Sequence, residues 1–403
     1  MKKVVLAYSG GLDTTYCAIY LSQVRGLEVH AVTIQTGGFG EAELKNIEAR
    51  AYKLGVTSFK VIDVTKAYYS NCIKFLVFGN VLKNAVYPLS VSAERMVQAI
   101  SVAEYAKELH ADYVAHGSTG AGNDQVRFDM VFQSMIPGIE IITPIRDMRL
   151  SREAEITFLK EHGVDMNFEK AQYSINKGLW GTSVGGKETL TSKDYLPENA
   201  WPTQISQTEA RQVELQFEKG ELNDVDGKTF AHPVAAIQYL QSIAQPYGIG
   251  REIHVGDTII GIKGRVGFEA AAPIIIIKAH HLLEKHTLTK WQLYWKDQLS
   301  TWYGNWLHEG MMLDPTMRNI EKFMEDSQQT VSGKVFVTLY PQRFVLNGIE
   351  SEHDLMNNRF GSYGEMNNSW TGDDVKGFAK IFGNQVGIYH SVNGNKIGLT
   401  DVE

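Results

Sequence analysis

Ser9-Gly10-Gly11-Leu12-Asp13-Thr14 constrains this chain more than any other stretch. An apolar run over residues 3–8 leads into it. A helical pattern leads out, with Leu12, Tyr16, Ile19 and Tyr20 on one face. Paired glycines let the backbone turn sharply and bring N–H groups close to an anion. Between a strand and a helix, those amides and the helix N-terminus form a phosphate site. Ser9, Thr14 and Thr15 add hydroxyl donors. A carboxylate beside phosphates is repulsive, so Asp13 makes sense as a Mg²⁺ ligand or as a neighbour of magnesium-neutralised pyrophosphate. The competing reading is a tight turn with Asp13 as a plain helix cap; the strand–turn–helix context favours phosphate.

The flanking sequence repeats the strand–helix rhythm. Residues 29–34, 59–64, 112–115 and 139–143 read as strands. Leu44, Ile47, Ala51 and Leu54 recur at helical spacing before Gly55, and a helix is expected over 94–110. Such alternation predicts an α/β fold, a doubly wound parallel sheet with helices on both faces. These sheets bind ligands at the carboxyl ends of their strands, where strand order reverses. The loops over 9–13, 35–40 and 116–127 are therefore the ones expected to carry a site. Ser151 is placed to cap a helix ending near Gly163, so a nucleotide-binding domain is assigned to residues 1–165.

Residues 166–356 read as a mixed α+β domain. Helices are expected over 230–247 and within 273–290, and strands over 252–263, 265–271 and 335–346. The tail, 357–403, is rich in Gly and Asn; it is expected to hold short strands or loops and is a candidate oligomerisation segment.

Composition narrows the function classes. With 46 acidic against 39 basic residues the chain carries −7, which argues against a nucleic-acid partner. Cys17 and Cys72 stand far apart with no CxxC, which favours a reducing compartment. The N-terminal apolar run is too short for a signal peptide, and the isoleucine run at 274–277 is too short to span a bilayer. A cytoplasmic protein with no membrane partner is expected.

A second constellation is His116-Gly117-Ser118-Thr119-Gly120-Ala121-Gly122-Asn123-Asp124-Gln125-Val126-Arg127-Phe128. It suits a small zwitterion. Arg127 can grip a carboxylate in a fork, Asp124 can take an ammonium, and Gly117 and Gly120 let a nucleotide approach the backbone. The bland alternative is a solvated turn with a structural His116. A near miss to a Walker A loop, Gly181 to Glu188, has Glu188 where Ser or Thr should hold magnesium and is discounted.

The first loop resembles that of the N-type ATP pyrophosphatases, SGGxD followed by Ser or Thr, which cleave ATP between the α and β phosphates. Taken with the 116–128 stretch, the chain resembles the argininosuccinate synthase family over about residues 3 to 290. That resemblance implies condensation of citrulline with aspartate: ATP adenylates the ureido oxygen, pyrophosphate leaves, and the aspartate amine then expels AMP. It places Ala7, Tyr8, Ser9, Gly10, Gly11, Leu12, Asp13, Thr14, Thr15, Ile34 and Gly117 at ATP. Tyr87, Ser92, Asn123, Arg127, Ser174 and Ser183 fall at citrulline, and Thr119, Asn123 and Asp124 at aspartate. Asp13, Asp124 and Arg127 are the expected catalytic residues. The resemblance also implies Mg²⁺ and a homotetramer.

Departures are informative. Asn176 stands where the family has Asp, Gly256 where it has a Glu facing citrulline, and Phe268 where it has Tyr. The tail does not show the family's long helix. A buried ammonium left without a partner is costly. Either Asp257 moves over to replace the carboxylate, the simpler reading, or the substrate carries an N-acylated α-nitrogen. Two rivals are weaker. An RNA-thiolating pyrophosphatase wants a basic face and a reactive cysteine, and a nucleotide sensor leaves the second domain without a role.

Overall fold

The computed structural model describes residues 1–164, 173–357, 363–364 and 369–394. β1 (Lys3–Ala7) has Val4, Val5 and Leu6 fully buried, as a strand covered on both faces requires. β2 (Glu28–Gln35) and β3 (Ser58–Asp63) extend the sheet to one side. β4 (Tyr113–Ala115) and β5 (Glu140–Ile142) extend it to the other. All pairings are parallel and the order is β3-β2-β1-β4-β5. The chain moves outward from β1 twice, in opposite directions, so the order reverses between β1 and β4. The crossovers include α1 (Leu12–Ile19), α2 (Glu41–Lys53), α3 (Ser90–Glu108) and α4 (Asp124–Met135). α5 (Arg152–Glu161) follows β5, and Ser151 Oγ caps it by accepting from Ala154 N at 3.2 Å.

The expected boundary between residues 165 and 166 lies in a span outside the described residues. Beyond it, β6 (Ser174–Gly178) and β7 (Gly181–Gly185) form a hairpin. They join β11 (Arg251–Asp257) and β12 (Lys263–Glu269) in an antiparallel sheet ordered β11-β12-β7-β6. A second antiparallel sheet, β10-β9-β8-β13-β14, contains β8 (Arg211–Glu218), β9 (Glu221–Val225), β10 (Lys228–Thr229), β13 (Gly333–Tyr340) and β14 (Arg343–Glu350). The single strand expected over 335–346 is thus a hairpin. Gln342 takes a left-handed φ of 61° and turns the chain.

α6 (Pro233–Ala244), α7 (Ala271–Thr287), α8 (Lys290–His308) and α9 (Pro315–Ser327) pack among these layers. Ile274 to Ile277 are β-branched, yet they lie in α7 because this helix is buried nearly all round. α7 and α8 are tied by a fully buried ion pair, Lys296 Nζ to Glu284 at 2.9 Å. Residues Met1–His353 form one compact unit and Asp354–Glu403 another.

In the second unit the expected short strands or loops are not what forms. α10 (Gly372–Phe382) and α11 (Asn384–Asn393) are helices. Thr371 and Asp374 make a capping box at α10, and Val375, Phe378 and Phe382 recur at helical spacing. Composition pointed to loops, but capping and periodicity won. Phe378, Ile381 and Phe382 are exposed. Among the described residues no helix is long and apolar enough to cross a membrane.

Candidate active site

The reversal of strand order brings the loops after β1 and β4 side by side. A Cβ placed on Gly117 would sit 3.2 Å from the Asp13 carbonyl carbon, so the two turns meet at backbone contact distance. Gly10 adopts φ +72°, a conformation that suits glycine, and its carbonyl accepts from Arg50 Nη1 at 2.7 Å. Among the described residues no side chain caps the N-terminus of α1, which leaves its first amides facing outward. Ser9 Oγ and Thr14 Oγ1 lie 3.2 Å apart across the turn.

These turns open on a cavity of about 790 Å³. Ala7, Tyr8, Ser9, Gly10, Gly11, Asp13 and Thr14 line one end, with Ile34 beside them. Gly117, Thr119, Asp124 and Ser174 line the rest of its expected wall. Leu12 and Thr15 are buried beneath the loop and do not line it, and the Thr15 hydroxyl has no hydrogen-bond partner among the described residues. Tyr87, Ser92, Asn123, Arg127 and Ser183 also lie off the cavity surface, in a closed network next to it.

Asp124 is the centre of that network. It accepts from Arg127 Nη1 at 2.7 Å and from Arg95 Nε at 3.1 Å. Burial alone would raise its carboxyl, but the two guanidiniums hold it below the ordinary carboxylate range. Arg127 is 3% exposed. It also donates to the His308 carbonyl, from Nη2 at 2.7 Å and Nε at 3.0 Å, and to Ser92 Oγ at 3.2 Å. Most of its fork is therefore engaged within the protein. Asn123 Oδ1 accepts from Ile259 N at 2.8 Å, which anchors the β11–β12 turn beside the second loop.

Asp13 lies beside Glu155 of α5. Burial, then the neighbouring charge of Asp13, pushes the Glu155 carboxyl well above its usual range; burial raises Asp13 too. Asp13 brings one oxygen donor group to the cavity wall beside the Ser9 and Thr14 hydroxyls. That is the hard-donor set Mg²⁺ accepts when substrate phosphates supply further ligands. Among the described residues no group of three or more His, Cys, Asp or Glu could hold a metal. His116 lines the cavity and is held by two partners within the protein. Its Nδ1 accepts from Ser118 N at 3.2 Å, which leaves Nε2–H to donate to Asp129 at 3.0 Å.

Several participants escaped the sequence reading. Arg95 lines the cavity and bonds Asp124, Gln98 and, at 2.5 Å, Asn176 Oδ1. Since Arg95 already has Asp124, the neutral Asn176 is enough to complete its contacts. Buried Glu94 accepts from Thr36 Oγ1 at 2.5 Å, a contact that braces α3 against the end of β2. Glu94 and Arg95 stand in α3 among Ser90, Ser92, Gln98, Glu104 and Lys107, so their charge alone does not mark them out. His254 and His308 gave no signal either, because each meets the site only through folding.

Asp257, expected to move over in place of the carboxylate, stands at the end of β11. Its side chain is 66% exposed and bonds Lys263 Nζ at 2.6 Å across the hairpin. Phe268 is buried against Tyr87, ring centroids 5.3 Å apart.

A glycine turn at the switch point of a parallel sheet, flanked by a carboxylate–guanidinium network, is the arrangement of a nucleotide-binding α/β enzyme. Comparison with known families agrees. Residues 3–165 match the arginosuccinate synthase N-terminal HUP domain, and residues 173–389 match the arginosuccinate synthase C-terminal domain. The argininosuccinate synthase of Dictyoglomus thermophilum is 36% identical over 98% of this chain and 99% of its own. Those of Xanthomonas campestris pv. campestris and Methanocaldococcus jannaschii are 36% and 34% identical, over 97% and 96% of this chain and 99% and 97% of their own. The chain belongs to the argininosuccinate synthase family, and it is an ATP-dependent ligase.

Proposed function

We propose that this enzyme joins a citrulline-type ureido amino acid to aspartate, converting ATP to AMP and pyrophosphate. The observation that carries this reading is the meeting of the β1 and β4 turns on one cavity, with Asp124 bridging two arginines at its far wall. In the first step the ureido oxygen attacks the α-phosphorus and the bond to the β-phosphate oxygen breaks, releasing pyrophosphate. In the second the aspartate amine attacks the ureido carbon, loses its proton, and the bond to AMP breaks. A ureido oxygen leaves poorly and AMP leaves well, so adenylation is leaving-group activation.

The chain's part is positioning and electrostatics. The Ser9–Thr14 turn and the α1 amides hold the phosphates. Mg²⁺ bound by Asp13 would neutralise phosphate charge. Tyr87, Ser92, Asn123, Arg127, Ser174 and Ser183 form the ureido side, and Thr119, Asn123 and Asp124 the aspartate side. Asp124, kept ionised by Arg95 and Arg127, fixes the two guanidiniums at the cavity wall. A cytoplasmic homotetramer follows from the family resemblance, and the exposed apolar face of α10 supports self-association.

The test is pyrophosphate release from ATP. Release should need the ureido substrate, and AMP should appear when aspartate is added. Release stimulated by tRNA instead would overturn the assignment.

A further inference from the structure

Next to Tyr87, on β11, lies a cluster that the chemistry above does not use. His254 is 5% exposed, and its ring stacks on Tyr87 at 4.8 Å. Gly256 is the next residue on the same strand face. A Cβ there would fall 2.6 Å from His254 Nε2 and 3.4 Å from Asn84 Nδ2. The imidazole therefore fills the room that a side chain at 256 would need. His254 Nδ1 is buried and has no hydrogen-bond partner. A buried polar atom of this kind is uncommon and points to a ligand.

The charges around it have one dominant sign. Lys83 is the cation that acts on His254, and Arg127 and Lys83 both act on His308. His308 is 7% exposed, shares a 2.9 Å contact with Ser92 Oγ, and lies 3.4 Å from Arg127 Nη2. Both imidazoles are neutral. Burial, then Lys83, brings His254 to about 4; burial, then Arg127, Lys83 and His254, brings His308 to about 3. The nearby carboxylates are occupied or outside. Asp124 is shared by Arg95 and Arg127, Asp257 pairs with Lys263 and also acts on Lys83, and Glu309 is exposed, acting on Lys83.

An ammonium brought here would meet Lys83 and Arg127 without a free carboxylate. An amide nitrogen is neutral, and its acyl oxygen would accept from the unpartnered His254 Nδ1 in its N–H tautomer. A carboxylate on the acyl chain would find Lys83. We infer that this cluster receives the α-nitrogen of the ureido substrate in N-acylated form, with His254 as the specificity-determining residue. The inference rests on the proposed ureido site at Tyr87, Ser92 and Arg127.

The experiment uses the full chain with ATP and aspartate, and compares kcat/KM for citrulline, N-acetylcitrulline and N-succinylcitrulline by pyrophosphate release. The better acylated compound should exceed citrulline by at least about tenfold, as expected where one substrate leaves a polar group unpaired. A smaller ratio overturns the inference and leaves the ligase reading intact. AMP formation with none of the three overturns both. His254→Ala should lower the acyl-to-citrulline ratio at least about tenfold, measured within one preparation. An unchanged ratio removes His254 as the selecting residue.

Discussion

The two ends of the proposed active site, one assigned to phosphate and one to the ureido substrate, are built from different materials. The phosphate end is backbone: a glycine turn at φ +72°, the amides opening α1, and Gly117 pressed against Asp13. It opens on the cavity. The ureido end is side chain: Arg127, Ser92, His308, His254 and Tyr87 bond or stack on one another and are almost wholly buried. A backbone site is tied to a local chain conformation, so it belongs to one segment and tolerates little change. A side-chain site is assembled from four distant segments, and each can be exchanged if the charge balance is kept. That difference explains why the first end follows its family closely while the second carries Gly256 and Phe268.

This contrast can be broken by experiment. The largest effect is expected at Asp124→Ala. Two guanidiniums would lose their shared carboxylate, which should cost about 3 kcal/mol of stability and about a hundredfold in kcat. Urea unfolding and AMP formation read the two; a near-neutral result would show that the network is not central.

Gly10→Ala should come next. A left-handed φ costs a non-glycine residue about 1–2 kcal/mol, and the new methyl would lie 3.2 Å from Ile47 Cγ1. KM for ATP should rise about tenfold, with little change in KM for the ureido substrate. An equal rise in both would mean the two ends are not separate.

Acid should weaken the ureido end. His254 and His308 have folded values near 4 and 3, below the ordinary 6.5. The unfolded chain therefore takes up protons first. Their stabilisation is fully present above about pH 6.5 and is lost as pH falls toward 4 and then 3. Thermal unfolding across this range should show Tm falling with acidity, and less steeply in His254→Asn. An identical slope in that variant would show His254 to be exposed to solvent protons already.

The smallest effect is expected at Asp257→Asn, which should change kcat/KM by less than about twofold, as for an exposed ion pair. A large fall would place Asp257 in the ureido site and reverse the assignment made from its bond to Lys263.

Much of the fold was legible. Strand–helix alternation showed the parallel sheet, and the loops after β1 and β4 were picked out before their contact was known. The tail was misread because its Gly and Asn content outweighed the Thr371–Asp374 capping signal and the Val375, Phe378, Phe382 spacing. The hairpin at Gln342 was missed because nothing in Tyr340-Pro341-Gln342 demands a left-handed turn. Arg95, Glu94, His254 and His308 do not stand out, since each lies in an element of mixed polar and apolar residues and meets its partners only when the chain is folded.

Sequence alone determined the phosphate turn, its place after the first strand of a parallel sheet, and the family. All three depend on residues adjacent in the chain, where glycine spacing and periodicity act directly. Tertiary structure decided what surrounds the proposed ureido site. It placed Arg95 against Asp124, turned Asp257 outward to Lys263, and set His254 in the space before Gly256. Burial and charge pairing between distant segments fix those choices, and neither is a property of any one segment.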